Sequence, residues 1–202
     1  MFFLALAVIG TTTSILGSNT VQAWADVIEG TEGDDFIVGT TEDDLIDSKG
    51  GDDENYGDSI LGDGSGNDVI DSGEGDDVNF GDTEGHFGFD PETGEPDFIR
   101  ANGSGNDVIA SGEGSDLNFG DASTGSGSGS DVIASGEGDD TNLGDTETGS
   151  GSGGDTIVSG EGDDTNTGNG GADIFACGGG EDTVTDYNEA EGDIATPDCE
   201  NV

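Results

Sequence analysis

Positive charge is almost missing from this chain: Lys49 and Arg100 stand against 48 Asp and Glu, for a formal net charge of -46. A phosphate backbone needs a basic face, so nucleic acid is excluded as a partner and cations become the natural ones. Apolar residues are also scarce, at 29% of 202, and many of them lie in the first 25 residues. The remainder cannot build a conventional apolar core for one large domain. His86 is the single histidine and there is neither H-E-x-x-H, G-x-S-x-G nor a P-loop, so no catalytic constellation is available and the chain reads as a non-enzyme. Two cysteines, Cys177 and Cys199, are too few for a zinc site. They read either as one disulfide clipping the final segment onto the preceding repeat or as two free thiols.

Residues 1–25 carry no charge, run apolar from Phe2 to Ile9, and end in Ala23-Trp24-Ala25. This segment reads as a signal peptide or N-terminal anchor, although the basic start of a signal is missing. Thr11-Thr12-Thr13-Ser14 interrupts the apolar run, against a membrane-spanning helix of ~20 residues. The rest is expected to be secreted or at the cell surface, in an extracellular setting.

What the chain has in abundance is glycine, 41 residues, and it is periodic. Gly73-Glu74-Gly75-Asp76-Asp77 returns at Gly112, Gly136 and Gly160, with sister units at Gly64, Gly103, Gly127 and Gly151. One register collects Asp35, Asp44, Asp53, Asp68, Asp77, Asp107, Asp116, Asp131, Asp140, Asp155, Asp164, Asp173 and Asp182. Their spacings are nine, nine plus six, or nine plus twenty-one, so the unit is a nonapeptide with insertions. The insertions fall on alternate units. Two units per turn would therefore send every insertion out of one edge of a solenoid, which argues against acidic disorder and against a merely solvating acidic chain.

Two residues after each aspartate, isoleucine and asparagine alternate: Ile46, Ile70, Ile109, Ile133 and Ile157 against Asn55, Asn79, Asn118, Asn142 and Asn166. Two opposed sheets follow, one with an isoleucine ladder and one in which the asparagines either face inward as an amide ladder or give way to Tyr56, Phe80, Phe119 and Leu143 by a one-residue slip. Inward asparagines would turn the aromatic column to solvent as a candidate partner surface.

The pattern G-G-x-G-x-D-x-U-x, opened by Ile28-Glu29-Gly30-Thr31-Glu32-Gly33-Asp34-Asp35 and closed by Gly170-Gly171-Ala172-Asp173-Ile174-Phe175, resembles the RTX (repeats-in-toxin, hemolysin-type) calcium-binding proteins over about residues 28 to 195. The resemblance implies an all-β parallel β-roll of about thirteen nonapeptide repeats, two per turn, over residues 26–186, with an insertion loop at 83–101 and a C-terminal cap at 187–202. It implies several Ca2+ ions between stacked loops, bound by backbone carbonyls and by the thirteen aspartates. Asp53, Asp77, Asp116, Asp140 and Asp164, flanked by Asp35 and Asp182, stack on the short-loop edge. Asp44, Asp68, Asp107, Asp131, Asp155 and Asp173 stack on the other, where Glu42 replaces a turn glycine.

Calcium takes six to eight hard oxygen ligands, which this donor set supplies. Carboxylates repeating at ~4.8 Å repel by about 3.5 kcal/mol per pair at an effective dielectric of ~20. Folding is therefore expected to coincide with calcium binding, in a structural or surface role. The competing reading is an adhesion module whose aromatic column or insertion binds an extracellular protein or saccharide. End-to-end self-association through an open strand edge is a further expectation.

Overall fold

The computed structural model describes residues 26–58, 66–82, 86–89, 96–99, 105–121, 124–125, 129–145, 148–149, 151 and 153–202. The expected signal peptide or anchor at 1–25 lies outside them, as does most of the 83–101 insertion. Among the described residues there is no helix, and none is long and apolar enough to cross a membrane.

The chain winds through two parallel sheets. The first contains β1 (Val27–Glu29), β3 (Leu45–Asp47), β5 (Val69–Asp71), β9 (Val108–Glu113), β12 (Val132–Glu137), β15 (Thr156–Glu161), β17 (Ile174–Gly179) and β19 (Ile194–Ala195). The second contains β2 (Phe36–Thr40), β4 (Glu54–Asp58), β6 (Val78–Phe80), β10 (Leu117–Phe119), β13 (Thr141–Leu143), β16 (Thr165–Thr167) and β18 (Thr183–Val184). Strands of the two sheets alternate along the chain, so each turn contributes one strand to each. This is a parallel β-roll. Within the insertions, β7 (His86–Phe89) pairs antiparallel with β8 (Pro96–Ile99), and β11 (Thr124–Gly125) pairs with β14 (Thr148–Gly149).

Glycine makes the tight stacking possible. At Gly112, φ is 99°, and a Cβ there would lie 2.0 Å from the Gly73 carbonyl oxygen of the neighbouring turn. Only a residue without a side chain fits both requirements.

The interior is divided between an apolar and a polar column. Ile46, Ile70, Ile109, Ile133, Ile157 and Phe175 are fully buried from the first sheet. From the second, Asn55, Asn79, Asn118, Asn142 and Asn166 are also fully buried, so the asparagines point inward. Each of the first four donates Nδ2 to the next Oδ1 at 2.9–3.0 Å. The second amide hydrogen goes to Ser48, Ser72, Ser111, Ser135 or Ser159 across the roll. A buried amide is tolerable only when its hydrogen bonds are met, and here repetition meets them within the column, leaving the Oδ1 of Asn55 at its first turn without a donor.

The polar column is closed by apolar residues. Ile37 pairs with Asn55 at one end and Val184 with Asn166 at the other. At that second end the serine position passes to Cys177, which forms a disulfide with Cys199 and packs in the isoleucine core. The final segment adds β19 to β17, and Asn201 bridges Thr183.

Inward asparagines place Tyr56, Phe80 and Phe119 on the opposite face, with near-parallel rings and centroids 4.9 and 4.7 Å apart. The expectation that this column faces solvent is corrected: Tyr56 is 2% exposed and Phe80 and Phe119 are 5% exposed. Ring stacking at the strand repeat buries the flat faces against one another, so the column is a second small core with Leu143 rather than an open surface.

Asn118→Val should strand Asn79 Nδ2 and Asn142 Oδ1. At ~1–3 kcal/mol per unsatisfied buried group, it should destabilise the roll more than Asn166→Val, which has one amide neighbour beside Val184. Denaturant unfolding in calcium measures the difference, and equal losses would contradict the amide ladder. Removing the disulfide with Cys177→Ala and Cys199→Ala frees a sequence separation of 22 residues. It should cost about 3 kcal/mol in the same assay.

Candidate metal centre

The nonapeptide turn brings the predicted aspartates into two columns, one on each edge. On the short-loop edge each backbone N–H donates to Oδ1 of the next aspartate along Asp35, Asp53, Asp77, Asp116, Asp140, Asp164 and Asp182, at 2.8–3.0 Å. On the insertion edge the same bond runs through Asp44, Asp68, Asp107, Asp131, Asp155 and Asp173, at 2.7–2.9 Å. Both columns run past the residues the nonapeptide register selects: Asp173 donates to Asp193, and Asp182 donates to Glu200.

One oxygen of each carboxylate is thus consumed by the stacking. The other is buried without a donor in Asp53, Asp77, Asp116, Asp140, Asp164 and Asp182, and in Asp68, Asp107, Asp131, Asp155 and Asp173. The first two loops differ. Oδ2 of Asp35 accepts from the Thr31 N–H and hydroxyl, and Oδ2 of Asp44 from those of Thr40. The two N-terminal aspartates are therefore satisfied within their own loops.

Burial raises the carboxyls whose second oxygen has no donor, with neighbouring carboxylates adding to it and the backbone N–H bonds opposing it. On the short-loop edge Asp77 and Asp164 rise to about 6 and Asp116 to about 7. On the insertion edge Asp173 rises to about 6, Asp68, Asp131 and Asp155 to about 8 and Asp107 to about 9. The edge with insertions is therefore the more demanding of compensating charge. Lys49, the one lysine or arginine among the described residues, is committed to Glu29 and the Gly30 carbonyl.

An acceptor-only, oxygen-only donor set with one free oxygen per turn fits a hard divalent cation. Among the described residues no group of three or more acidic, histidine or cysteine side chains converges on one point. A cation between turns would therefore take carboxylates pairwise and complete its shell with backbone carbonyls or water.

A third buried column was not anticipated: Asp58, Asp82, Asp121 and Asp145, each fully buried at the root of an insertion. The signal was present in the sequence, since each follows glycine and they recur at the 24- and 39-residue intervals of the main columns. They stand where the repeat has its second glycine, outside the register of the two main columns.

A parallel β-roll whose two edges carry stacked, half-satisfied carboxylates is a class of fold built to hold cations. Residues 25–54, 55–83, 103–122, 126–141 and 150–184 match the RTX calcium-binding nonapeptide repeat (4 copies), and the chain belongs to that family. Membership implies calcium binding. No curated protein and no solved structure matches the chain.

An acid whose folded value exceeds its unfolded value, here 3.8 against about 6 to 9, binds its proton more tightly when folded. The chelated chain should therefore be most folded below pH about 4 and lose stability progressively as pH rises through about 6 to 9. Circular dichroism in chelator over that range measures this, and a chelated chain better folded at pH 8 than at pH 4 would contradict it.

Proposed function

We propose that this protein is an exported, non-catalytic calcium-binding roll that folds when calcium is taken up between its stacked loops. The observation that carries the reading is the single buried oxygen left without a donor in each of eleven aspartates: Asp53, Asp68, Asp77, Asp107, Asp116, Asp131, Asp140, Asp155, Asp164, Asp173 and Asp182. Each carboxylate holds its neighbouring turn by a backbone N–H and leaves its remaining oxygen buried at the loop edge without a donor. Without a cation these oxygens repel along each edge and oppose stacking. Calcium bound there supplies positive charge and hard coordination, which makes binding and folding one event. Asp35 and Asp44 take a different part, closing the first turns through Thr31 and Thr40.

Export is supported by the apolar, uncharged residues 1–25 and by the disulfide, which suits an oxidising compartment. Extracellular calcium modules bind at roughly 10⁻⁴ to 10⁻³ M, so a weak site would stay empty in the cytosol and fill outside it. The adhesion reading loses support from the aromatic column, which is buried. It then rests on the 83–101 insertion alone.

Asp116→Asn and Asp131→Asn should each raise the calcium concentration for half-folding by about tenfold, the change given by ~1.4 kcal/mol. Asp35→Asn should leave it nearly unchanged, because asparagine still accepts from Thr31. Calcium titration followed by circular dichroism reads all three, and an equal shift for Asp35→Asn would contradict the distinction between free and threonine-bound carboxylates.

A further inference from the structure

The two edge columns leave four buried acids unexplained. Asp58, Asp82, Asp121 and Asp145 each lie two residues beyond Tyr56, Phe80, Phe119 and Leu143, which pair in register through β4, β6, β10 and β13. The four acids therefore follow the same stack, and all four are fully buried. Each sits where the chain leaves the roll. One oxygen of Asp58, Asp121 and Asp145 accepts the N–H of Gly66, Gly129 and Gly153, eight residues on, at 3.3 Å. That bond ties the two roots of an insertion together.

The second oxygen of Asp145 accepts the N–H of Gly170 at 3.4 Å, whereas the other three carboxyls are left short of donors. Oδ1 of Asp58, Oδ1 of Asp121 and both oxygens of Asp82 are buried and unpartnered. The Asp82 carboxyl lies within hydrogen-bonding reach of those of Asp58 and Asp121, and Asp121 of that of Asp145. These are acceptors facing acceptors. Asp107 and Asp131 of the neighbouring column add negative charge to the same region. With its carboxyls ionised, a stack of this kind needs positive charge in its gaps, and among the described residues no donor reaches Asp82.

We propose that Asp58, Asp82 and Asp121 bind hard divalent cations in the gaps between successive insertion roots, forming a third cation column that pins the insertions to the roll. The ligands are two carboxylates per gap, with the remaining oxygens from backbone or water. Oxygen-only donors of this number suit calcium better than a softer metal. The choice of ion rests on the calcium reading above, whereas the site itself rests on the orphaned oxygens of Asp82 and its neighbours. Asp82 borders two gaps, so it is the residue on which the column depends most.

Two measurements on the full chain test this. Native mass spectrometry in calcium counts bound ions in the wild type and in Asp82→Asn, which keeps the shape and removes the charge. The variant should hold at least one ion fewer. An unchanged count in a wild type that does bind calcium would overturn this column alone, and a wild type that binds no calcium would overturn the broader reading with it. Crystals of the wild type grown in calcium provide the second measurement, independent of whether the variant folds. An anomalous difference peak is expected within ~2.3–2.6 Å of an Asp82 oxygen. Its absence there, with ions present on the edge columns, would overturn the proposal.

Discussion

Everything in this roll depends on how each stacked aspartate divides its two oxygens. One accepts a backbone N–H from the adjacent turn and fixes the stacking distance. The other is buried without a donor, at eleven successive positions on two edges. The same bond that builds the ladder therefore brings like charges together in a poorly hydrated place, where their repulsion is strong. Cations taken up along the edges, as proposed, would resolve that conflict.

The interior shows the same economy by repetition. An asparagine amide would be costly alone, yet stacked at the strand repeat it finds its donor and acceptor in its own neighbours, and its second hydrogen in a serine across the roll. Such a column has ends that repetition cannot satisfy. Ile37 and Val184 stand at those ends, and the disulfide takes over the serine position next to the last amide. The termini are thus distinct in chemistry from the middle, as one-dimensional repeat structures require. Thr31 and Thr40 play the corresponding part for the acidic columns at the N-terminal end.

The architecture was legible because it lies in periodicity. The nine-residue register places Asp35 through Asp182 on their edges, and insertions on alternate units reveal two units per turn. The placement of asparagine was not legible, because Asn79 and Phe80 are adjacent and a one-residue slip exchanges them without altering the pattern. The structure buries both, on opposite faces of one strand. The bonds of Asp35 to Thr31 and of Asp44 to Thr40 depend on threonine hydroxyl geometry that spacing does not carry. Asp58, Asp82, Asp121 and Asp145 were visible as a recurring Gly-Asp pair but lay outside the register that defined the site.

The central claim is that the roll and its ions are a single cooperative unit, and it is tested most directly by far-UV circular dichroism at neutral pH during a calcium titration, with magnesium as control. The account predicts a chain largely disordered in chelator that acquires β-structure with calcium and not with magnesium, which demands a smaller, more regular oxygen shell. A chain already folded in chelator, or one still disordered at ~10 mM calcium, tenfold above the weak end of extracellular modules, would contradict it.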